Sequence, residues 1–62
     1  MITVKKLNGS ELVVNADLIE TAEQTPDTII TLSGGKKLVV CETPQEIIDL
    51  VIAYKRKIML KF

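Results

Sequence analysis

Apolar residues along this chain change rhythm once. From Ile2 to Glu42 they come in short runs broken by glycine, asparagine and proline, and after Thr43-Pro44-Gln45-Glu46 they recur at helical spacing. The pattern predicts short strands over about residues 2–42 and a helix over about 44–58, together a single domain covering 1–62. The expected fold class is α+β: a small antiparallel β-meander of four to five strands with one C-terminal helix packed on the sheet.

Ile2–Leu7 and Ser10–Val14 flank Asn8-Gly9, a strong hairpin signal. Two registers compete. A two-residue Asn8-Gly9 loop sets Val4 opposite Val13 and Ile2 opposite Asn15. A three-residue Leu7-Asn8-Gly9 loop, with Gly9 left-handed in a bulge, sets Val4 opposite Leu12, Ile2 opposite Val14 and Lys5 against Glu11. The second register gathers four aliphatic side chains on one face and is preferred.

Asn15-Ala16-Asp17 then turns the chain. Residues 18–24 read as a strand, with a helix as the rival, because Asp17 and Glu20 have the spacing of a capping box. The segment is short, however, and runs into the Thr25-Pro26-Asp27 turn. Thr28–Leu32 is rich in β-branched residues, Ser33-Gly34-Gly35-Lys36 is a tight turn, and Lys37–Glu42 completes a hairpin. Cys41 is expected to point into or beside the core.

The helix has a clear start: Thr43 as N-cap, Pro44 in the first helical position and Glu46 completing a capping box. Ile47, Val51, Tyr54 and Ile58 fall within about 60° on the helical wheel, flanked by Leu50, and this row should lie on the sheet. Ile48, Ile52 and Met59 form a second stripe roughly 100° away, more apolar width than one sheet face needs. Lys55 lies between the stripes, where its stem covers the seam and its ammonium stays wet. Ile48, Ile52, Lys55 and Met59 are therefore the candidate partner-contact residues.

Composition sharpens this picture. A chain of 62 residues is near the lower limit for a self-sufficient core and buries only about 60% of its unfolded surface. Its apolar content is 47%, but Tyr54 and Phe62 are the only aromatics, so the core must be aliphatic. A mean hydropathy of +0.27 is high for so small a domain and points to apolar surface covered by another chain, a homo-oligomer or a bound protein. Eight basic and eight acidic residues cancel, which gives the chain no overall attraction to phosphate backbones. One cysteine and no apolar run of spanning length, with no signal-peptide core, suggest a cytoplasmic protein.

Catalysis finds no material. Histidine is missing from the sequence, and with it the usual neutral-pH acid–base group; no spaced metal ligands occur either. Gly34-Gly35-Lys36 lacks the spacing of a phosphate loop and joins two strands. The acidic residues are spread over turns, strand faces and the helix start. Lys55, Arg56, Lys57 and Lys61 crowd the helix end, where they complement its dipole. The expectation is a non-enzymatic protein with no catalytic residues, no cofactor, no metal and no small-molecule substrate.

The ordered series Leu7-Asn8-Gly9, Asn15-Ala16-Asp17-Leu18-Ile19-Glu20 and Thr25-Pro26-Asp27-Thr28-Ile29-Ile30-Thr31-Leu32 resembles the flagellar FlbD family, also called SwrD. Gly35-Lys36-Lys37 and Tyr54-Lys55-Arg56 fit the same pattern, so the likeness covers almost the whole chain. The resemblance implies a small cytoplasmic accessory protein of bacterial flagellar motility, linked to swarming or motor power and without catalysis. Taken with the apolar second stripe, the expectation is a protein acting through protein–protein contacts, its partners itself or a flagellar motor, export or regulatory protein at the cytoplasmic face of the flagellar base. Asn8, Gly9, Pro26, Asp27 and Gly35 match the family as turn formers. The alternative is a small dimeric nucleic-acid-binding regulator resembling carbon-storage-regulator proteins, of similar size and element order. The charge balance disfavours nucleic acid as a partner, and peripheral membrane contact through Lys55 to Phe62 is a third reading.

Overall fold

The first hairpin takes the three-residue register. The computed structural model describes residues 1–59. Strand β1 (Ile2–Lys5) pairs antiparallel with β2 (Glu11–Val14), placing Ile2 opposite Val14, Val4 opposite Leu12 and Lys5 opposite Glu11. The Lys6 N–H donates to the Ser10 carbonyl and the Gly9 N–H to the Lys6 carbonyl, both at 2.9 Å. Gly9 has φ of 88°, a conformation open to glycine without steric cost. Asn8 Oδ1 accepts from the Ser10 backbone N–H at 3.0 Å and from its hydroxyl at 2.7 Å.

The same pair of hydrogen bonds closes the last hairpin, with Gly34 and Gly35 both at positive φ. The Leu32 N–H donates to the Lys36 carbonyl at 2.8 Å and the Gly35 N–H to the Leu32 carbonyl at 3.0 Å. Strand β3 (Ile19–Gln24) pairs with β4 (Thr28–Leu32), and β4 pairs with β5 (Lys37–Val40), all antiparallel. Residues 19–24 are thus a strand, the preferred reading. The rival helix does not form, because Asn15 Oδ1 caps a single 3-10 turn over Ala16–Leu18, accepting from the Asp17 N–H at 3.0 Å. From Ile19 onward the backbone enters the ladder with β4.

That turn divides the strands into two sheets, β1-β2 and β3-β4-β5. A narrow junction joins them. Lys6 bridges Val40, and the Cys41 N–H donates to the Lys5 carbonyl at 2.8 Å. Glu42 ends this pairing with its side chain, both carboxylate oxygens accepting the Lys5 N–H, at 3.0 and 3.1 Å. Cys41 itself is exposed, contrary to the expectation that it points into or beside the core. Val40 takes the inward position at the end of β5, and Cys41 follows outside the strand. Its thiol donates to the Lys6 carbonyl at 3.2 Å.

Helix α1 (Pro44–Met59) begins with the expected capping box. The Glu46 N–H donates to Thr43 Oγ1 at 3.1 Å, and the Thr43 N–H donates to Glu46 Oε1 at 2.9 Å. The helix packs on β1 and β3, one strand from each sheet. Ile47 enters the core beside Val4, Ile30 and Val40, and Leu50, Val51 and Tyr54 pack partly buried around it. Each fully buried aliphatic side chain contributes about 1.5–3 kcal/mol relative to exposure, so this small aliphatic cluster is the main source of stability.

Candidate contact face

The capping box fixes where the helical count starts, and so which side chains face away from the sheets. Ile47 points inward, and the residue after it starts the outer row. Ile48, Ile52 and Met59 are 51%, 44% and 73% exposed, and Lys55 lies in the same row. The four candidate contact residues are therefore brought together on one side of α1. The inner row of Ile47, Val51, Tyr54 and Ile58 is buried or half-buried.

Ile48 and Ile52 of this row, with Ile47 and Val51 beside them, form one wall of a cleft. Ala16, Ile19 and Ala22 form the other, and the cleft between them measures about 360 Å³. A second hollow of about 480 Å³ continues along Ile52, Lys55, Arg56 and Met59, sharing Val51 and Ile52 with the first. The result is one apolar strip running from near the helix start to Met59.

The β3 wall was not foreseen from the sequence. Ile19 and Ala22 are three residues apart, and in a regular strand they point to opposite sides. The register shift between Ile19 and Thr21 alters that alternation, and both are half-buried against the core. Strand β3 is also an edge: β4 is its single partner in the sheet, and Glu20 and Glu23 are exposed along it. Charges on an edge discourage indiscriminate strand pairing.

Lys55 and Asp17 tie the two walls together, with Nζ 3.3 Å from Oδ1. The two side chains are 56% and 65% exposed, so the pair adds little to stability. It draws the ammonium toward the 3-10 turn, as expected of a lysine whose stem crosses apolar surface. Arg56 and Lys57 are exposed in the last turns, where they complement the helix dipole. A separate hollow of about 400 Å³ lies between the two hairpin ends, lined by Leu7, Leu12, Leu38 and Val39 with Lys6 and Lys37 at its margin.

Among the described residues, no group of three or more His, Cys, Asp or Glu side chains is placed to hold a metal ion. No helix of the described residues is long and apolar enough to cross a membrane. The features that core packing leaves unexplained are surfaces: an apolar strip, a strand edge and a basic helix end.

Five short strands and one capped helix make this an aliphatic α+β module. The family described as flagellar and swarming motility proteins, FlbD, matches residues 1–59, and the chain belongs to it. No curated protein and no solved structure gives a match.

Proposed function

We propose that this chain is a non-enzymatic accessory protein of flagellar motility and swarming that works by protein–protein contact. Membership of the flagellar and swarming motility family supplies the cellular process. The observation that carries the mode of action is the outer row of α1. Ile48, Ile52 and Met59 stay open to solvent on a helix whose inner row already supplies the core. Exposing aliphatic side chains beside a cleft is unfavourable unless another surface covers them, and such patches mark interaction sites.

The contact face consists of Ile48, Ile52, Lys55 and Met59, with the β3 edge beside it. Its partners are a second copy of the chain and a motor, export or regulatory component at the cytoplasmic face of the flagellar base. Function requires no cofactor.

The test is a swarming assay in a flagellated bacterium that depends on this gene. A chain carrying Ile48→Asp and Ile52→Asp is expected to accumulate normally, to lose swarming and to release flagellar proteins that co-purify with the unaltered chain. Full swarming by that variant at normal protein level refutes the reading.

A further inference from the structure

We infer that the outer row of α1 is covered by the same row of a second copy, the two helices lying antiparallel about a two-fold axis. The inference deepens the contact-face reading by giving the second copy its seam, direction and register, and it rests on that reading. Two observations carry it: the spacing of the row and the distribution of charge along it.

Gln45, Ile48, Ile52, Lys55 and Met59 follow one another at alternating intervals of three and four residues. That is the spacing of a helix–helix seam, with each knob entering a hole in the facing helix. Ile48, Ile52 and Met59 supply its apolar knobs, and all five residues are exposed in the single chain.

Charge then selects the direction. The first half of the helix carries Glu46 and Asp49, and the second half carries Lys55, Arg56 and Lys57. A parallel pair sets the acidic half of each helix beside the acidic half of the other, and basic beside basic. An antiparallel pair sets the acidic half of each helix on the basic half of the other, and a two-fold axis repeats the match.

Charge also selects the register. Asp49 and Arg56 lie seven residues apart, so they share one flank of the seam. Centring the axis between Ile48 and Ile52 brings Asp49 against its own copy. Centring it between Ile52 and Lys55 stacks Ile48 on the Met59 of the second copy and places Asp49 beside its Arg56, twice over. In that second arrangement the lysine stem lies on Ile52, with its ammonium already turned toward Asp17. The groove lip that receives the incoming basic end carries Asp17 and Glu20.

The experiment is sedimentation equilibrium on the full chain at roughly 100 µM, a concentration that populates dimers with Kd in the micromolar range. The unaltered chain is expected to sediment as a dimer. Asp49→Arg and Arg56→Asp each weaken pairing by about tenfold or more, and the double variant Asp49→Arg/Arg56→Asp restores it. Circular dichroism checks that each variant keeps its helix; Asp49→Lys with Arg56→Glu replaces any that does not. A monomer in all cases overturns the inference, as does a dimer indifferent to the single reversals or a double variant no tighter than the singles. A monomer that still loses swarming on Ile48→Asp/Ile52→Asp overturns the pairing and leaves the contact-face reading standing. A dimer whose swarming survives those substitutions refutes the reading alone.

Discussion

The Glu42 carboxylate accepts the backbone N–H of Lys5 with both oxygens, at 3.0 and 3.1 Å, across 37 positions of the chain. Its place is the end of the junction between the two sheets, where the Lys6–Val40 bridge is the last element of ladder. A charged acceptor on a backbone N–H is among the stronger hydrogen bonds available to a protein. Glu42→Ala is expected to cost about 1–2 kcal/mol, seen as a fall of roughly 4–15 °C in the thermal midpoint. Glu42→Gln, which keeps one acceptor oxygen, should lose less than half of that. Equal midpoints for the three chains would mean that the contact does not hold the sheets together.

Adjacent residues on α1 separate the two apolar rows. Ile47 is 3% exposed and Ile48 is 51% exposed. Ile47→Ala is expected to destabilise the fold by about 2–4 kcal/mol in urea unfolding, and Ile48→Ala by less than about 0.5 kcal/mol in dilute solution. If the two substitutions cost the same, the inner and outer rows have been assigned wrongly.

The reciprocal bonds between Thr43 and Glu46 set the helix start. Thr43→Ala should cost about 1 kcal/mol and Thr43→Ser close to nothing, because serine supplies the same oxygen. Thermal melts followed by circular dichroism measure the difference. A serine variant as weak as the alanine variant would show that packing of the threonine methyl matters more than the cap.

Gly9 has a positive φ and open space where a Cβ would stand. Gly9→Ala therefore meets no clash with the rest of the fold and pays only for its backbone conformation, about 1 kcal/mol. Gly9→Asn should be milder, since asparagine tolerates the left-handed region. Chemical denaturation of the three chains orders them glycine, asparagine, alanine, and any other order would place the strain elsewhere.

Features governed by local periodicity were legible in the sequence. Alternation chose the register that pairs Val4 with Leu12, and the Thr43-Pro44-Gln45-Glu46 signal placed the helix start where it is. The separation of Ile47, Val51 and Tyr54 from Ile48 and Ile52 followed from helical spacing in the same way. Features that depend on distant pairing were not legible. The exposure of Cys41 is set by where β5 stops, and the bond from Lys5 to Glu42 leaves no periodic trace. The β3 wall of the cleft depends on a register shift near Glu20, in a segment whose Asp17 and Glu20 equally suggested a helical cap.

Every residue of the outer helical row directly follows one of the inner row: Ile48 after Ile47, Ile52 after Val51, Lys55 after Tyr54 and Met59 after Ile58. Sliding the helix by one residue turns it by about 100° and carries the outer row into the seats of the inner one. Three of the four replacements put one oily side chain where another stood, so grease alone barely distinguishes the two settings. Lys55 breaks the tie, because the slipped helix would have to push an ammonium into the place of the Tyr54 ring. The brief tether of Cys41, Glu42 and Thr43, pinned at Lys5 and locked by the cap, holds the helix to the seat that this lysine permits.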